Sequence, residues 1–211
     1  MEGFRYFLAL FLVLFAPGVF LFWFSIHPYI HFWSKVGPRL NLAIHYGLIL
    51  VLALGIFQIR RPLLSVEFGT RPILVVLAVP ILALSIVLHG KVWGRLGTKV
   101  LLGLPELGPR EYPSRLITEG IYSRIRHPRY GGAVLGFLAY ALVSNYLAAY
   151  LVVVLSAVWV VLLAGVEEKE LRGRFAAEYE AYCVRAPILA EALGRLAPAS
   201  WLPGRVLRLI V

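Results

Sequence analysis

The chain has no aspartate, one cysteine, and only 32 charged side chains in 211 residues. A lone thiol, Cys183, excludes an intramolecular disulfide, and without a CxxC pair or a Cys/His cluster there is no framework for structural zinc. No GxxxxGK[ST] or GxGxxG follows a strand-like run, so Gly94, Gly97, Gly103 and Gly108 read as a surface loop near anionic headgroups. No Asp, Glu, Lys or Arg lies within any apolar run, which counts against an ion-coupled transporter. The polar surface of a soluble domain is missing too. Hydrophobic residues make up 60% of the chain and mean hydropathy is +0.81, values that belong in a bilayer. Little length remains for a soluble catalytic module such as a Rossmann domain.

What is present is a succession of apolar segments. Tyr6–Ser25, Leu40–Ile59 and Pro72–Gly90 each read as one span, with Pro80 expected to bend the third. Tyr130–Val166 runs 37 residues without a charge, enough for two spans joined at Asn145. Gly131, Gly132 and Gly136 are expected to let those two arms approach closely. The expectation is an all-α, polytopic helical membrane protein of about five transmembrane helices. Residues 1–93 form a three-span region, and residues 94–211 carry a helical hairpin at about 130–166 and a tail.

Five spans put 17 of the 21 Lys and Arg residues on one side, which the positive-inside rule makes cytoplasmic, with the N-terminus outside. Glu167–Ala186 carries Leu171, Phe175, Tyr179 and Tyr182 three or four residues apart, an amphipathic helix continuing the fifth span. Pro187 ends it. Ile188–Val211, with Trp201, Leu202, Arg205 and Arg208, reads as an interfacial segment.

Two polar clusters stand out. The first runs from Gly120 to Gly132 and contains Arg124, Arg126, His127, Arg129 and Tyr130, where the loop enters the fourth span. A helix start with Pro128 in its first turn offers free N–H groups to an anion; a positive-inside anchor has the same composition. The second is Glu167 with Glu168 at the end of the fifth span, at the depth of Arg126 and His127 if the spans form a hairpin. These carboxylates could accept from ribose hydroxyls or an adenine amino group; the alternative is a solvated helix start in which Glu168 pairs with Arg172, and Glu170 with Arg174, at i, i+4 spacing. His27 and His31 sit in an aromatic belt, and His45 and His89 read as packing groups.

Gly120–Gly132 resembles the GxYxxxRHPxYxG signature of the isoprenylcysteine carboxyl methyltransferase family and its relatives, which include phospholipid methyltransferases. The series Glu167, Glu168, Leu171, Phe175, Glu178, Tyr179, Tyr182, Arg185, Pro187 is similar to that family's second motif. The resemblance covers Ser114 to Pro187. It implies an integral membrane methyltransferase that uses S-adenosyl-L-methionine and a lipophilic or lipidated acceptor, with membrane lipids as partners and neither nucleic acid nor metal. By position, Ser114, Arg115, Leu116, Ile117, Tyr122, His127, Pro128, Arg129, Tyr130 and Glu167 would contact the cofactor. Arg126 and Glu168 would be the catalytic pair, Arg126 orienting an anionic group of the acceptor.

An arginine that contacts substrate in the prenylcysteine enzymes, one helical turn before the glutamate pair, is Leu163 here, and Arg129 replaces a small or apolar residue. The acceptor atom can be oxygen, nitrogen or sulfur, as in the prenylcysteine, phospholipid or thiol methyltransferases. An acceptor ammonium must shed a proton, and His127 is a candidate base for it. Two other readings remain: an NADPH-dependent reductase like the sterol reductases, and a non-catalytic protein that binds anionic lipid.

Overall fold

A computed structural model describes residues 1–108, 111–112 and 115–188. The order is α1 (Glu2–Ile26), a short turn at His27–Tyr29, α2 (Ile30–Val36), α3 (Pro38–Gln58), α4 (Arg60–Leu63), α5 (Pro72–Leu101), α6 (Leu104–Leu107), a turn at Gly120–Ser123, α7 (Pro128–Ser144) and α8 (Leu147–Arg185). Among the described residues there is no strand, only an isolated bridge between Glu67 and Tyr146. Pro38, Pro72 and Pro128 open α3, α5 and α7, where a residue without an N–H gives up no helical hydrogen bond.

The long helices are α1, α3, α5, α7 and α8. Four stretches are long and apolar enough to cross a membrane. The remaining long helix, α7, has 17 residues, which is about 26 Å and the short end of a crossing. This is an all-α integral membrane protein.

Asn145 makes the hairpin turn in the left-handed region, with φ of 56°, which asparagine tolerates better than most side chains. Its Nδ2 donates to the Gly69 carbonyl at 2.8 Å, and its Oδ1 accepts from the Tyr150 hydroxyl at 2.9 Å. At the same end Arg5 is buried and donates through Nε to the Ser144 carbonyl at 3.0 Å. That places a cation on the negative end of α7. α1 lies at the centre, its Ala9, Leu12 and Ala16 packed in one cluster with Phe137 and Ala141 of α7 and Ala149 of α8.

Three details differ from expectation. Pro80 keeps helical backbone angles, and the break in α5 falls at Gly97, with φ of 67°. The glycine face of α7 meets α5 rather than α8. A Cβ built on Gly136 would lie 2.9 Å from Ser85 Oγ, and one on Gly132 3.0 Å from the His89 ring. The reason is a direct bond, Ser85 Oγ to the Gly132 carbonyl at 2.8 Å, which needs the two backbones close. Finally, α8 does continue to Arg185, but Ala176 adopts φ of 41° and breaks it.

Gly136→Val should therefore push α5 from α7 and destabilise the protein by about 1–3 kcal/mol, read as a lower thermal midpoint in detergent. The smaller substitution Gly136→Ala should give a midpoint between those of the parent and the valine variant.

Candidate functional site

Beyond its apolar stretch of 20 residues, Leu147–Val166, α8 emerges carrying Glu167 and Glu168. The start of α7 supplies their partners. His127, the residue before Pro128, is 8% exposed and lies between the two carboxylates. Its Nδ1 is 3.4 Å from Glu167 Oε2 and its Nε2 3.2 Å from Glu168 Oε1. Arg126 reaches Glu168 at 3.1 Å and donates to Cys183 Sγ at 2.9 Å. Tyr130 donates its hydroxyl to Glu167 at 2.6 Å and accepts from Arg129 at 3.1 Å. Arg129 also lies over the Trp23 ring at 4.2 Å, a cation–π contact that accounts for its charge here.

These partners set the protonation states. Burial disfavours a charged imidazole, but hydrogen bonds to Glu167 and Glu168 outweigh it and raise His127 to about 9. Burial likewise opposes ionisation of Glu167, yet its bond to His127 and the nearby positive charges hold it well below the usual carboxylate range. With both ring nitrogens on carboxylates, His127 retains its proton at neutral pH.

Below this cluster is a cavity of about 280 Å³. Arg115, Leu116, Ile117, Tyr122, Arg126, His127, Arg129, Tyr130 and Glu167 all line it, so most of the residues singled out from the sequence converge on one space. Pro128 and Glu168 stand behind that wall, and Ser114 lies outside the described residues, as do Trp201, Leu202, Arg205 and Arg208. Arg172 bonds to Glu180 at 2.9 Å, although eight residues of straight helix would separate them by about 12 Å. The break at Ala176 folds the last turns of α8 back, and Tyr179 and Tyr182 are buried on the cavity, Tyr182 donating to the Tyr122 carbonyl at 2.8 Å.

The opposite wall was not anticipated. It comes from Trp23 of α1 and His27 just after it, Glu106 on α6, and Arg174 on α8. His27, read from sequence as a belt residue, lies 2.5 Å from Glu170 Oε2. Arg174 pairs with Glu170, as the i, i+4 spacing suggests, and also with Glu106 at 3.5 Å. Arg172 likewise pairs with Glu168 at 3.5 Å. A second cavity of about 540 Å³, almost wholly apolar, runs between α1 and α3, and Trp23 borders both.

His127 is charged in the fold up to about pH 9, against about 6.5 when unfolded. Its stabilisation is therefore complete below the unfolded value and is lost as pH rises through the folded one. The thermal midpoint in detergent should fall more steeply from about pH 7 to about pH 9.5 for the parent than for His127→Gln; equal slopes would remove the charged histidine from the account.

No curated protein and no solved structure matches the chain. The family model of phospholipid methyltransferases matches residues 73–178, half of the chain, including the start of α7 and the glutamate pair of α8. The chain belongs to the phospholipid methyltransferase family.

Proposed function

We infer that this protein is an S-adenosylmethionine-dependent methyltransferase acting on a lipophilic acceptor, with its cavity and C-terminus cytoplasmic and its N-terminus outside. One observation carries the reading: Arg126, His127, Arg129, Tyr130 and Glu167, brought together from two motifs, surround a single cavity. The donor set fits a nucleoside that bears a cation and an amino-acid group. Glu167 suits ribose hydroxyls, the arginines suit a carboxylate, and Trp23, Tyr122 and Phe175 offer aromatic surface to adenine. The Tyr179 hydroxyl and Glu106 Oε2 are buried without a partner among the described residues. Each such atom costs about 1–3 kcal/mol, which a polar ligand would offset.

When bound, S-adenosylmethionine supplies a methyl group on a sulfonium, transferable by in-line displacement. The chain's own residues have to align the two reactants and exclude water. Glu167 stays ionised because His127 stays protonated, so a carboxylate faces the cavity at neutral pH. Arg126 is held by Glu168 and Cys183 in one orientation. The apolar cavity beside Trp23 suits a hydrophobic tail.

The prenylcysteine carboxyl O-methyltransferases provide the motif pattern, but Leu163 favours a different acceptor. It is 2% exposed, in a cluster with Phe22, Trp23, Ile26 and Tyr130. An apolar side chain there offers nothing to an acceptor carboxylate, which favours the phospholipid N- or thiol S-methyltransferase reading.

Calorimetry in detergent should show binding of S-adenosylhomocysteine that falls at least about tenfold in Glu167→Gln, the cost of one charge-assisted bond. Binding of NADPH instead would indicate a reductase. Binding of neither would indicate the lipid-binding role.

A further inference from the structure

His27 precedes the residues that match the family, yet it lines the cavity on the wall opposite the motif. It is 5% exposed and stacks on Trp23 at 5.4 Å. Its Nδ1 is 2.5 Å from Glu170 Oε2, and Glu170 is itself held by Arg174. A carboxylate on Nδ1 keeps a proton on that nitrogen, fixing the tautomer in which Nε2 carries the lone pair. Nε2 is buried and has no hydrogen-bond partner among the described residues.

The contrast with His127 is direct. That ring has a carboxylate on each nitrogen and stays charged, whereas His27 has one carboxylate and one unoccupied nitrogen. The ionisable groups around His27 are Glu170 and Glu167 of α8, Glu106 of α6, and the arginines Arg174 of α8 and Arg129 of α7. Arg174 pairs with both Glu170 and Glu106. Glu167 is committed to His127 and Tyr130, and Arg129 sits over Trp23 on which His27 stacks.

We propose that His27 is the catalytic base of this site, with Glu170 and Arg174 as its positioning residues, and that the acceptor is protic: an amine or a thiol. The assignment rests on the methyltransferase reading. The acceptor's N–H or S–H proton passes to His27 Nε2, and the lone pair left on nitrogen or sulfur forms the new bond to the methyl carbon. The methyl–sulfonium bond breaks with its electron pair retained by the donor sulfur, and the proton later leaves His27 for water. A carboxylate acceptor, already ionised, has no use for such a group.

The test combines spectroscopy with turnover. Imidazole-nitrogen NMR of histidine-labelled protein with S-adenosylhomocysteine at about pH 8 is assigned by the signals absent from His27→Gln. It should show the His27 proton on Nδ1 and His127 doubly protonated. Turnover is measured with phosphatidylethanolamine vesicles as the amine, dodecanethiol in phosphatidylcholine vesicles as the thiol, and N-acetyl-S-farnesylcysteine as the carboxylate. His27→Gln should lose about 10²-fold or more in kcat on the amine or the thiol while still binding S-adenosylhomocysteine. Glu170→Gln, which keeps the ring, should shift the pH profile of kcat with little change in KM.

A doubly protonated His27, a proton on Nε2, undiminished turnover by His27→Gln, or methylation of the carboxylate alone or of none of the three would overturn the proposal. Failure of the parent to bind S-adenosylhomocysteine would instead refute the methyltransferase reading, and the NMR spectrum would still report on His27 and Glu170 separately.

Discussion

Two adjacent carboxylates at the end of an apolar helix cannot be buried alone, and the arrangement of this end of the bundle follows from that constraint. Glu167 and Glu168 leave the apolar part of α8 beside the entrance of α7, whose Arg126 and His127 match them in charge and depth. Breaking a buried pair from one side strands the other charge, at a cost of about 3–5 kcal/mol. The hairpin register is thereby fixed at this end by ion pairs and at the other by Asn145 and Arg5. Between those ends the contacts are apolar and small, and α7 is free to lie close to α5.

The cavity results from two halves of the chain that meet only in space. One wall is the compact motif around His127, in which Arg126, His127, Arg129 and Tyr130 each bond to a neighbouring side chain. The other comes from the end of α1, α6 and α8 and retains buried polar atoms without partners among the described residues. A satisfied wall is rigid and orients what lies against it. An unsatisfied one is where binding free energy remains to be gained.

The sequence disclosed the first wall and hid the second. Arg126, His127, Tyr130 and Glu167 were legible because their motifs are local and lie where charge-free runs begin and end. Helix order was legible for the same reason: each apolar run has a clear length, and the prolines at α3, α5 and α7 mark their starts. His27 and Glu170 are 143 positions apart. Nothing near either predicts the other, and His27 sits among aromatics that suit a membrane boundary equally well. The glycines of α7 were recognised as a close-contact face, but helical spacing does not say which neighbour the face meets. Ala176, in an alanine pair between Phe175 and Glu178, reads as good helix, and its break shows only in the folded chain, in its φ of 41° and in the bond of Arg172 to Glu180.

The central place of α1 has a consequence for biogenesis. Arg5 finds its carbonyl partner 139 residues later, on α7. At synthesis rates of about 5–20 residues per second, that partner emerges roughly 7–28 s after Arg5 itself. For that interval the buried face of α1, with its cation, must be sheltered by lipid, headgroups or the insertion machinery. The helix that ends up at the centre of the bundle thus enters the membrane well before α7 and α8, which makes their arrival the step at which the bundle closes around it.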